Sequence, residues 1–125
     1  MLHASTEVLT PEGITTLRHI FSGLFIDTPH GFCVVNRVNS RMVSFHWIMT
    51  TEVGVVEFDC QQRFLVNNRS RKGNTLKVGD YVDTKDGKRA YITKMEKIVK
   101  HEIMLRINSS SVKNRYCLRN GIVVI

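Results

Sequence analysis

The chain contains one stretch twice. Ser22-Gly-Leu-Phe-Ile-Asp-Thr-Pro-His-Gly31 lines up with Val78-Gly-Asp-Tyr-Val-Asp-Thr-Lys-Asp-Gly87 at a constant offset of 56. Gly23/Gly79, Asp27/Asp83, Thr28/Thr84 and Gly31/Gly87 are identical, and a Thr-Leu step (Thr16-Leu17, Thr75-Leu76) precedes each copy. Each copy reads as a glycine turn, a strand of aromatic and β-branched residues, then a hairpin tip at Pro29-His30-Gly31 or Asp86-Gly87-Lys88. Repetition at a fixed spacing points to two similar halves packed about a pseudo-twofold axis. Two unrelated hairpins sharing turn chemistry are the alternative.

Strand signals fill the rest. Phe32–Val38 and Arg41–Ile48 read as strands joined by a turn at Asn39-Ser40, followed by strands at Gly54–Phe58 and Arg63–Val66. After a loop over 67–74, further strands are expected at Tyr81–Thr84, Ala90–Thr93, Ile103–Ile107 and Ile122–Ile125. Only Ile14–Phe21 has helical spacing. The class is all-β, in one domain spanning 1–125. The sequence Arg119-Asn-Gly121 signals a turn, yet the following Ile-Val-Val-Ile is apolar and core-like, which is unusual for a chain end.

Bulk properties narrow the function. At 42% hydrophobic and 23% charged, the composition is that of a globular protein. No apolar run is long enough to cross a membrane, and MLHASTEV lacks the basic and apolar regions of a secretory leader. Three widely spaced cysteines, Cys33, Cys60 and Cys117, form no CxxC pair, so neither a zinc site nor a disulfide framework is expected, and a reducing, cytoplasmic compartment is. The net charge of +7 includes clusters at 69–72 and 85–100, which could form a nucleic-acid face. No aromatic residues interleave with them in sequence, so a solvated polar face is favoured and a nucleic-acid partner is not expected.

Three blocks carry a resemblance. LKVGDYVDTKDG after VEFDCQQRFLV resembles the Hint domain of inteins and hedgehog-type autoprocessing proteins. LHASTEVLTPEG resembles the first intein block, and YCLRNGIVVI resembles the last, NGxxx followed by His-Asn. Together they cover nearly the whole chain. The implied fold is a horseshoe of short strands holding both chain ends side by side. The implied reaction is protein splicing, in which a nucleophile at residue 1, the first downstream residue and a terminal Asn act in turn. That is self-contained nucleophilic catalysis without cofactor or metal. The partners are the flanking extein polypeptides in cis, or a complementary intein fragment in trans, around a monomer. With no room for an endonuclease, this would be a mini-intein. Its blocks resemble those of phage-type inteins, some of them split near the N-terminus, which makes Gly13–His19 a candidate break and the chain a fusion of halves.

The sequence departs from the pattern at its ends. Met1 stands at the nucleophile position, and a thioether has no ionisable proton with which to form an acyl intermediate. Ile125 stands where the family has its penultimate His, and no Asn follows, so the chain as written is expected to be inert. Asp59-Cys60-Gln61-Gln62 occupies the place of Thr-x-x-His. Gln62 can hydrogen-bond the scissile group but cannot act as an acid, while Asp59 could if burial raised its pKa. Both either orient the scissile bond or merely cap a loop. Thr6 is the candidate hydroxyl near residue 1, Cys60 lies inside the block facing the junction, and Asn120 belongs to the C-terminal block. His101 could supply a proton at the C-terminal junction. In the family's register an alternative nucleophilic cysteine would fall near Met104, so Cys117, like Cys33, reads as apolar filling. His46 reads as a satisfied sheet residue, and His3 and His30 as exposed. Two rivals remain open: a Hint domain that cleaves without ligating, and a small basic β-barrel that binds nucleic acid.

Overall fold

The computed structural model describes residues 1–125. It contains β1 (Leu2–His3), β2 (Glu7–Thr10), β3 (Gly13–Thr16), β4 (Phe25–Thr28), β5 (Gly31–Thr51) and β6 (Gly54–Phe58). These are followed by β7 (Arg63–Val66), β8 (Arg69–Lys72), β9 (Tyr81–Asp83), β10 (Arg89–Ser109), β11 (Tyr116–Cys117) and β12 (Val123–Val124). The repeat is larger than the ten residues that reveal it. Strands β2 and β3 map onto β7 and β8 at the same offset of 56, and the 3-10 turn Leu17–His19 maps onto Gly73–Thr75. Hydrogen bonds repeat as well: Leu17 N–H donates to Thr6 C=O, and Gly73 N–H to Gln62 C=O, both at 2.9 Å. β5 and β10, the counterparts that close each copy, pair antiparallel with each other, as a twofold axis between them requires.

Four expectations fail here. Asn39-Ser40 is not a turn, because β5 runs straight through it, with Asn39 opposite Arg106 and Ser40 opposite Leu105. For the same reason Ala90–Thr93 and Ile103–Ile107 are parts of one strand, whose bulges between Ile92/Lys94 and Val99/Glu102 absorb the polar middle segment. The helical spacing over 14–21 is a strand and a 3-10 turn. Thr15 and Thr16 are β-branched and complete a hairpin with β2, so only Leu17 and Ile20 turn inward, whereas Ile14 and Phe21 stay exposed. The loop over 67–74 likewise contains β8 and the second 3-10 turn. Strands β6 and β7 fall where the sequence places them.

The core draws on both copies. Phe58 and Phe64, both fully buried, meet edge to face at 5.1 Å, and Trp47 stacks on Phe58 at 6.3 Å. Leu2, Val8, Ile26, Val82, Ile122 and Val124 complete the same cluster. The segment 116–125 ties the copies together. Leu118 bridges Val8 and Val124 pairs with Phe64, the same position in each copy.

The duplicated aspartates have diverged. Asp83 accepts the Asn67 and Asn68 backbone N–H groups at 3.1 and 2.7 Å, holding the two-residue β7–β8 turn in which both residues have positive φ. Asp27, buried, instead accepts from Lys85 Nζ of the other copy at 2.6 Å. That hydrogen bond raises the Lys85 pKa. Asp83→Ala is expected to lower stability by about 1 kcal/mol through loss of the two charge-assisted bonds, read as a fall of several degrees in Tm.

Candidate functional site

β6 ends at Phe58, and the chain then turns through Asp59-Cys60-Gln61-Gln62 into β7. Pairing of β1 with both β6 and β10 brings residue 1 against this turn. Asp59 is 1% exposed. Its Oδ1 accepts from the Met1 α-amino nitrogen at 2.8 Å and from Gln61 N–H at 3.1 Å, and its Oδ2 from Arg41 Nη2 at 2.9 Å. Asp59 N–H donates to Met1 C=O at 3.0 Å, completing a two-point grip on residue 1. The α-amino group stands where an amide nitrogen would stand in a chain continuing upstream. Burial holds its pKa below the ordinary value, and Arg106 and Arg41 add to this, while the Asp59 hydrogen bond opposes.

Three residues on, the same turn grips the other end. Gln62, 5% exposed, donates through Nε2 to Arg63 C=O at 2.8 Å and to Ile125 C=O at 3.3 Å. Ile125 N–H donates to Arg63 C=O at 3.1 Å. Met1, Gln62 and Ile125 thus line one open cleft of about 380 Å³. Chemically, the arrangement places a carboxylate oxygen on the residue-1 nitrogen and an amide donor on the residue-125 carbonyl. The first can manage a proton at a departing nitrogen, and the second can polarise and fix a carbonyl.

Other candidates lie elsewhere. Thr6 and Asn120 share a second cleft with Glu7, Gly54 and Glu57, away from Met1 and Ile125. That cleft is the twofold image of the first, since Ser5-Thr6-Glu7 correspond to Gln61-Gln62-Arg63 at the offset of 56. Asn120 Oδ1 accepts from Ile122 N–H at 3.1 Å, closing the Asn-Gly turn. Cys60, half-buried, lines a separate pocket with Met42, Phe45 and Asp59, which Met1 and Ile125 do not line. His101 is exposed near the β10 bulge and is absent from the lining of the cleft between the ends. Cys117 is buried as expected, and that burial pushes its thiol pKa up to about 12, away from nucleophilic use. Cys33 is only half-buried, beside Thr28 Oγ1.

Two histidine expectations need correction. His46 is buried with Nε2 on Glu57 at 2.9 Å, but its Nδ1 has no partner, so it is only half satisfied. His3 is not exposed: it pairs with Ser5 Oγ and with Glu102 Oε2, because β1 is sandwiched between β6 and β10. Sequence reasoning missed Arg41 and Arg63. Arg41 belongs to the site through an 18-residue separation that no local pattern encodes, and Arg63 contributes a main-chain carbonyl to both Gln62 and Ile125 while its side chain lines the cleft. The expectation that no aromatic residue interleaves with the basic ones is also corrected: Tyr91 lies within 85–100, Tyr81 and Tyr91 border Arg69 and Arg71, and Arg89 lies over the Tyr81 ring at 4.4 Å.

No family model and no curated protein matches the sequence. Solved structures do. The crystal structure of the gp41-1 intein is 21% identical with a TM-score of 0.86, covering 98% of this chain and 94% of its own. The solution structure of a bacterial intein-like domain from Clostridium thermocellum is 16% identical with a TM-score of 0.90, covering 98% and 96%. A DnaB intein from Synechocystis sp. PCC 6803 is 12% identical with a TM-score of 0.80, covering 98% and 96%. With its duplicated halves, its paired long strands and its two ends on one turn, the chain has the all-β Hint-type fold of the inteins.

Proposed function

We propose that this chain is a protein-splicing domain of the mini-intein type, which joins the polypeptides flanking it. The observation that carries the reading is the turn Asp59–Gln62, which holds the residue-1 nitrogen through Asp59 and the residue-125 carbonyl through Gln62. With Cys or Ser at position 1, the side chain attacks the preceding carbonyl. The thiol or hydroxyl loses its proton, the bond to the residue-1 nitrogen breaks, and that nitrogen gains a proton from the pocket in which Asp59 sits. The first downstream residue then takes the acyl group. An Asn after Ile125 cyclises through its side-chain nitrogen, breaking the second junction, and the flanks rearrange to a peptide. Gln62 fixes the carbonyl one residue ahead of that Asn, in place of a histidine.

Met1 blocks the first step, because a thioether has no proton to lose and no stable acyl form. Ile125 has no side-chain amide with which to cyclise at the second junction, so the unaltered chain between two reporter proteins is expected to leave both junctions intact. If the domain works in trans, a break at Gly13-Ile14 suits the fold better than one further on: Ile14 is exposed, whereas Leu17 is fully buried. The test is a fusion carrying Met1→Cys, an Asn after Ile125, and a cysteine opening the downstream reporter. A ligated reporter pair is expected, with release of a 14.4 kDa domain. Cleavage without ligation would place the chain with self-cleaving relatives, and two intact junctions would overturn the reading.

A further inference from the structure

The cleft between the chain ends is lined by Arg63, Lys72, Arg106 and Lys113, and by no acidic residue. None of the four takes part in the ion pairs of the chain, which engage other cations. All four are exposed. The twofold image of this cleft has the same backbone but a different charge: Glu7 and Glu57 line it with Arg119 as the one cation, and Glu7 is the counterpart of Arg63. The two clefts therefore share a fold and differ in sequence, and of the two only the one where the ends meet is positive. Four unpaired cations around one opening raise the local potential and favour an anionic occupant.

Any polypeptide entering at Met1 or leaving at Ile125 must pass through this opening. Arg106 lies close enough to the residue-1 nitrogen to lower its pKa, while Arg63 and Lys72 face each other across the β7–β8 pair that carries Ile125. We propose that this cleft selects flanking polypeptides with Asp or Glu within a few residues of the junctions, and that Arg63, Lys72, Arg106 and Lys113 are the specificity-determining residues. The inference rests on the splicing reading for the identity of its occupant, and on the charge of the cleft alone for its chemistry.

The test uses the splicing fusion described above with three residues next to each junction set to all Glu, all Ser or all Lys. At low salt the Glu flanks are expected to splice fastest and the Lys flanks slowest, over a spread of about tenfold. The spread should collapse in 1 M NaCl, where the screening length falls to about 3 Å. Lys72→Glu with Lys113→Glu, neither of which contacts the junction atoms, takes the cleft from four positive charges to a balance of two and two, and should abolish the spread. Equal rates at low salt, or a spread undiminished by the double reversal, would overturn the proposal. Should no flank splice at all, the splicing reading fails, and the cleft is then judged by binding of a fluorescein-labelled hexaglutamate to the unaltered chain. Saturable binding weakened about tenfold by the double reversal supports an acidic-peptide site; binding no tighter than that of a hexaserine overturns it. Displacement of the peptide by an oligothymidylate of equal charge, at lower concentration than unlabelled peptide needs, overturns it in favour of nucleic acid.

Discussion

In the splicing-competent fusion, Asp59→Asn is expected to slow the upstream junction by about a hundredfold or more while the downstream Asn still cyclises. Asp59 Oδ1 lies 2.8 Å from the nitrogen that must leave, and no other acid–base side chain touches that nitrogen. Asn keeps the shape and one acceptor, so it still receives Gln61 N–H, but it has no proton to relay. Thiol-induced cleavage at residue 1 reports the first step, and release of the downstream reporter reports the second. The two must separate: a variant that loses both to the same degree has lost the fold rather than the chemistry, and thermal melting distinguishes these cases. Asp59 also accepts from Arg41, so a moderate fall in Tm is expected alongside the kinetic loss. Splicing at the parent rate would reduce Asp59 to an anchor for residue 1.

The second large effect is on stability. A Cβ added at Gly73 would lie 2.5 Å from Phe58 Cε2, 2.6 Å from Phe64 Cε2 and 2.9 Å from Phe58 Cζ. Both rings are fully buried and already packed against each other, so neither can withdraw without displacing the core. Gly73→Ala is therefore expected to cost about 3 kcal/mol, the upper part of the range for overpacking, and to lower the denaturant midpoint accordingly. The first copy explains why. At the positions equivalent to Phe58, Phe64 and Gly73 it carries Leu2, Val8 and Leu17, all fully buried, so one copy distributes its volume as two aromatics and a glycine and the other as three aliphatics. Phe58→Leu added to Gly73→Ala should accordingly recover part of the loss, whereas Asn74→Ala, at an exposed neighbour, should stay within about 0.5 kcal/mol of the parent.

The residues that were legible in sequence are those whose signal is local. Gly54–Phe58 and Arg63–Val66 are short β-branched runs bounded by turn residues, and they form strands within those bounds. The pairing of Asp59 and Gln62 as site candidates came from their position within a block, and both chain ends rest on them. The long strands were not legible, because Asn39-Ser40 carries a turn signature that pairing with Arg106 and Leu105 overrides. Thr6 and Asn120 were grouped with the site by sequence proximity to the ends, yet the backbone carries them into the image cleft. Arg41 and the four cleft cations come from β5, β7, β8, β10 and the turn after β10, and only the folded chain assembles them. The repeat itself was visible over ten residues because turn glycines and the Asp-Thr pair tolerate little change; the remainder kept its hydrogen bonds while its side chains diverged beyond recognition.

The bridge made by residues 116–125 sets a clock. Leu118 docks beside Val8 and Val124 beside Phe64, and Ile122, Val123 and Val124 are all buried. During synthesis both halves can form their hairpins, yet the surfaces meant for these residues stay open until the final turn of the chain clears the ribosome exit. The Gln62 amide finds the carbonyl it is to hold only at that moment. On the splicing reading proposed above, the far junction is therefore held for scission only once the downstream polypeptide is already being made.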